Sequence, residues 1–74
     1  MRGMQEVIVQ CRSEFSYPQE PTRFYWQGQW LEIERILNRW RSPQELGFRV
    51  MTTTQTVFEL YYQESNDIWQ IVLI

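Results

Sequence analysis

From Gly47 onward the chain consists of three β-rich runs, GFRVMTTT, TVFELYYQ and DIWQIVLI, separated only by short polar stretches. Phe58, Leu60 and Tyr62 alternate with Val57, Glu59 and Tyr61. Trp69, Ile71 and Leu73 alternate with Ile68, Gln70 and Val72. Successive side chains of a strand point to opposite faces, so period two gathers one set onto one face of a sheet. Gln55 and the run Glu64-Ser65-Asn66-Asp67 supply the turns. An antiparallel meander is expected over residues 47–74, and the rest of the chain must pack on it or extend it.

The stretch RFYWQGQW extends the sheet. Two extended runs flank Gln27-Gly28, and two residues ending in Gly suit a tight hairpin turn that needs φ > 0. Phe24 and Trp26 then share one side and Tyr25 the other, with Trp30 opposite Tyr25 as a cross-strand aromatic pair. Upstream, QEVIVQCR (residues 5–12) reads as a strand with Val7, Val9 and Cys11 on one face and Ile8 on the other. SEFSYPQEP (residues 13–21) reads as an irregular connection, because Pro18 and Pro21 cannot donate to a ladder. Residues 30–41 are ambiguous. Trp30, Ile33, Leu37 and Trp40 recur at helical spacing, whereas Leu31, Ile33 and Leu37 also fit a strand face interrupted by Arg35. The preceding hairpin turn and the missing helix cap favour a long, bent strand. Ser42, followed by Pro43 and by Glu45 three residues on, suits the cap of one short helical turn.

The chain has 74 residues, which makes residues 1–74 a single domain with no repeat or linker. The expected fold is all-β: a small antiparallel half-open barrel or roll of five to six strands, SH3-like or OB-like, with at most a short helical turn. A chain this short buries only about 60% of its unfolded surface, so the core is thin. Cys11 is the only cysteine, which rules out an intrachain disulfide, and there is no His for zinc patterns of paired Cys and His. What remains is an aromatic-rich core and self-association; Trp26 and Trp69 are the expected core tryptophans. Both faces of the last strands are apolar, and the final strand, residues 67–74, is expected to be the unprotected sheet edge.

Catalysis finds no support in these residues. There is no His for acid–base work and no glycine-rich phosphate loop. Cys11 lies in an expected strand without a His partner, so it reads as an inert buried thiol. Glu32 and Glu34 read as a solvated strand face, and Asp67 as a turn residue. No metal site and no cofactor are expected. The net charge of −2 argues against a uniformly basic nucleic-acid binder. A binding surface is nonetheless suggested by Arg35, Arg39 and Arg41 beside Trp40 and Trp30, with Tyr25 able to join it. Arg beside aromatics suits a single-stranded nucleic acid groove, in which charge follows the backbone and bases stack on rings. Arg35 has Glu32, Glu34 and Glu45 nearby to pair with, and a salt-bridged outer face explains the same residues.

The segments PTRFYWQGQWLEIERILNRW, Gly47-Phe48-Arg49-Val50, FELYY and DIWQI resemble a family of small uncharacterised bacterial β-rich domains, over residues 21–73. The shared pattern runs Pro, Phe, Trp, Gly, a β-branched pair, Trp, then a meander ending in Trp. It is also distantly similar to the tails of polymerase-like proteins of mutagenic DNA repair. Those carry a Trp pair and an Arg-Asp-Tyr run that this chain lacks. The resemblance implies a bacterial domain without a settled activity, and a link to DNA repair.

Two function classes are expected. The first is a protein-interaction module, with a protein partner or a homo-oligomer. The second is a single-stranded nucleic-acid-binding accessory domain. The lone free Cys and the absence of an export signal suggest a cytoplasmic setting. The longest apolar run, IWQIVLI, is too short for a helix crossing a membrane, which needs about 20 residues.

Overall fold

The computed structural model of the chain describes residues 4–12 and 20–74. Most of the connection expected at residues 13–21 lies outside them. Seven strands are present: β1 (Gln5–Val7), β2 (Val9–Arg12), β3 (Glu20–Trp26), β4 (Gln29–Arg41), β5 (Glu45–Thr52), β6 (Val57–Gln63) and β7 (Ile68–Leu73). They form one antiparallel sheet in the order β1-β7-β6-β5-β4-β3-β2. There is no helix among the described residues.

Residues 5–12 are one extended run broken at Ile8. The first part pairs with β7 and the second with β3, so the run lies along both outer strands and curls the sheet towards a barrel. The count of seven strands, where five to six were expected, follows from this division. It also covers half of the edge expected to be free at the C-terminus: Gln5 faces Ile71 and Val7 faces Trp69, so β1 pairs with residues 69–71 of β7, while Leu73 and Ile74 stay exposed.

The hairpin forms as its sequence dictates. Gln27 and Gly28 have φ of 49° and 86°, the paired positive values of a turn whose twist matches its strands. Pro21 belongs to β3 and not to a loop. It faces Cys11 beside a register shift between Gln10 and Cys11, a bulge that accommodates a residue with no N–H. Ser42 makes the side-chain bond expected of a cap: its hydroxyl accepts from the Glu45 N–H at 3.2 Å. The bond closes the β4–β5 turn instead, with the Ser42 N–H donating to the Glu45 carbonyl at 2.9 Å.

β4 is the long, bent strand. Its first four residues pair with β3, from Trp26↔Gln29 to Arg23↔Glu32. From Ile33 on it pairs with β5, with register shifts between Ile33 and Arg35 and between Ile36 and Asn38. Each shift inserts one extra residue, Glu34 and then Leu37. That moves the inward positions to Leu31, Ile33 and Ile36, and it is why a strand carries apolar residues at a near-helical spacing.

The core fills the curl. Phe24, Leu31, Phe48, Val50, Phe58, Leu60, Tyr62, Trp69 and Ile71 form one cluster, against which Val7, Val9, Cys11 and Trp26 pack. Trp69 is buried as expected; Trp26 is half-buried, edge-on to Phe58 at 5.4 Å. The outer face has a smaller layer of its own. Trp40 lies over Gly47 and meets Tyr61 edge-on at 5.9 Å, while Glu59 accepts from Arg49 at 2.7 Å and from the Tyr61 hydroxyl. All buried side-chain polar atoms among the described residues have hydrogen-bond partners.

Candidate functional site

β3 and β4 part company below the Arg23↔Glu32 rung. β3 continues towards β2, and β4 follows β5, so residues 33–41 have a described strand on one side only. The gap is a groove of about 330 Å³, lined by Glu20, Pro21 and Thr22 on one side and by residues 32–36 and Arg39 on the other, with Arg12 at its margin.

A charged clasp crosses the gap. Glu20, only 8% exposed, accepts from Arg39 Nη2 at 2.5 Å through one carboxylate oxygen and from Arg12 Nη2 at 3.1 Å through the other. Burial alone would raise the Glu20 carboxyl, but the hydrogen bonds and charges of Arg39 and Arg12 outweigh it and hold the carboxyl below its ordinary range. The clasp is the part of the site that the sequence reading missed. Glu20 lies 19 positions from Arg39 and beside a proline, and no local spacing links them.

Of the six residues expected to form one surface, four fall into two pairs at opposite ends of β4, and Arg35 and Arg39 lie between them. Tyr25 and Trp30 pair across the hairpin, edge-on at 5.4 Å, and remain 42% and 38% exposed. Arg23 stacks over Trp30 at 4.7 Å, and the exposed Ile8 lies alongside, its carbonyl accepting from the Tyr25 N–H at 2.9 Å. At the far end, Trp40 lies flat on Gly47, and Arg41 reaches Glu64 at 3.3 Å. Arg39 is in the clasp, between the two groups.

The ion pairs expected for Arg35 with Glu32, Glu34 and Glu45 do not form; it is Arg39 and Arg41 that pair, with Glu20 and Glu64. Glu32 instead pairs with Arg23 at 3.6 Å. Arg35 makes no ion pair or hydrogen bond among the described residues. Beside it on the same edge, Leu37 is 40% exposed at its bulge.

Elsewhere, Cys11 is half-buried, and burial followed by the charge of Asp67 pushes its thiol up to about 11. Tyr62 donates to Asp67 at 2.7 Å, and this bond, with burial and nearby charge, pushes the phenol up to about 12. At neutral pH both stay protonated. The described residues contain no cluster of His, Cys, Asp or Glu suited to a metal. No described helix is long and apolar enough to cross a membrane. Compared with protein-family models, curated proteins and solved structures, the chain matches none.

Proposed function

We propose that this chain is a cytoplasmic, non-catalytic protein-interaction module whose contact is the open edge of β4. One observation carries the reading: residues 33–41 are in strand conformation with a described partner, β5, on one side only. Unpaired backbone N–H and C=O groups along a strand edge are a template for an added strand. The groove beside the edge offers room for the incoming side chains. Selection of a displayed library of random peptides on the immobilised domain tests it. Enriched peptides should protect backbone amides of residues 33–41 from exchange. Peptides that all protect some other surface, or no enrichment at all, would contradict the reading.

A second reading keeps one specific observation in its favour. The exposed Tyr25–Trp30 pair with Arg23 stacked on it is a surface on which nucleic-acid bases could stack, and the link to DNA repair implied by the resemblance belongs here. Against it, Arg39 and Arg41 are held by carboxylates, and Trp40 is laid on backbone. Titration with a thymidine homopolymer at about 50 and about 200 mM salt separates the readings. Binding at the lower salt that collapses at the higher would establish phosphate contacts and displace the protein module.

A further inference from the structure

We infer that the open edge of β4 takes an acidic, extended segment of a different protein as an added antiparallel strand, and not a second copy of this chain; this rests on the interaction-module reading above. Three features of the edge select the occupant.

The first is charge. Residues 33–41, IERILNRWR, contain three arginines, Arg35, Arg39 and Arg41, and one acidic residue, Glu34. Arg39 and Arg41 are engaged by Glu20 and Glu64, which leaves Arg35 without an ion pair among the described residues. An incoming carboxylate opposite Arg35 completes a pair that the fold leaves open. A guanidinium presents a planar fork that matches a carboxylate, which gives register as well as attraction.

The second is the poor fit of a second copy. Pairing this edge with itself sets three arginines against three, with one Glu34 on each strand to offset them. Like charges across neighbouring strands oppose pairing.

The third is apolar. Leu37 is two residues from Arg35 on the same edge and is 40% exposed. In an added strand the side chains that reach Arg35 and Leu37 are two positions apart and share a face, so an acidic residue followed two positions on by an aliphatic one satisfies both.

The test uses the full chain, labelled with nitrogen-15, and three blocked octapeptide probes in which Val alternates at every second position with Glu, Thr or Lys, with Thr between: Val–Glu, Val–Thr and Val–Lys. The Val–Glu probe should shift the amide signals of residues 33–41, and the Val–Lys probe should leave them unmoved at the same concentration. Arg35→Glu, a change at an exposed position that removes no ion pair or hydrogen bond among the described residues, should keep the dispersed spectrum of the folded chain. It should weaken Val–Glu binding at least tenfold and confer binding of Val–Lys. Equal binding of all three probes at these amides overturns the acidic preference and leaves the interaction module standing. No shift from any probe at millimolar concentration overturns both. A dimer in sedimentation that protects the same amides overturns the choice of partner, and a thymidine homopolymer that shifts them overturns it in favour of nucleic acid.

Discussion

Gly47→Ala should destabilise the domain by about 2–3 kcal/mol, and only while Trp40 is present. Gly47 faces Trp40 across β4 and β5 and Tyr61 across β5 and β6. A Cβ built on Gly47 would lie 2.1 Å from Trp40 Cε2, 2.2 Å from Nε1 and 2.5 Å from Cζ2. Those atoms belong to a rigid indole and cannot yield as the end of a flexible chain would, so the ring must lift off. A fully buried tryptophan removes about 150–250 Å² from water, and Trp40 is half-buried; lifting it re-exposes about 100 Å², or about 2.5 kcal/mol. Losing the edge-on contact with Tyr61 adds about 0.5–1.5 kcal/mol. A less flexible unfolded chain returns about 0.4–1 kcal/mol. The net loss is a large share of the roughly 3–5 kcal/mol that a core of this size supplies. Urea unfolding of wild type, Gly47→Ala, Trp40→Ala and the double variant measures it as a cycle. In the Trp40→Ala background, Gly47→Ala should be neutral or stabilising by up to about 1 kcal/mol. The same loss in both backgrounds would refute the steric reasoning.

Trp69→Ala should cost about 3–5 kcal/mol, because the ring is buried between Phe48 at 5.7 Å and Tyr62 at 4.8 Å; an unchanged melting temperature contradicts this. The Glu20 clasp should make stability depend on pH. The folded carboxyl is held below the ordinary value of 4.5, so its contribution is complete above that value and is lost as pH falls through the lower folded one. Urea midpoints between pH 6 and about pH 2 should therefore fall more for wild type than for Glu20→Gln; parallel curves would show that the clasp contributes nothing. With its thiol pushed up to about 11, Cys11 should react with iodoacetamide at pH 8 far more slowly in the folded chain than in urea, by about a hundredfold on thiolate fraction alone. Equal rates would show a thiol that burial does not restrain.

Local chemistry made much of the fold legible. The Gln27-Gly28 turn, the Tyr25–Trp30 pair and the inward set Phe58, Leu60 and Tyr62 all follow from residue type and period, which act over two to four positions. β4 was harder because its two bulges break the period that identifies a strand, leaving the preceding hairpin as the deciding signal. The closure of the sheet was not legible. Residues 5–12 alternate as one strand, and nothing in the alternation says that the run divides between β7 and β3. The site was the least legible part. Arg39 and Arg41 were recognised as surface arginines, but Glu20 and Glu64 became their partners only because the curl brings β3 and the β6–β7 turn against β4. That residues 33–41 have a described strand on one side only depends on where β3 and β4 separate, a property of sheet curvature that no short spacing encodes.

Residue-resolved amide exchange along β4, in the chain alone at neutral pH, tests the open edge most directly. N–H groups bonded to β5 should be protected to near the global stability of the domain. Those pointing into the seam with β3 should exchange orders of magnitude faster, so protection over residues 33–41 should be uneven, and uniformly high over residues 57–63 in β6, which has a strand on each side. Uniform strong protection across residues 33–41 would mean that both sides of the strand are already paired, and the edge on which the proposed function depends would not be there.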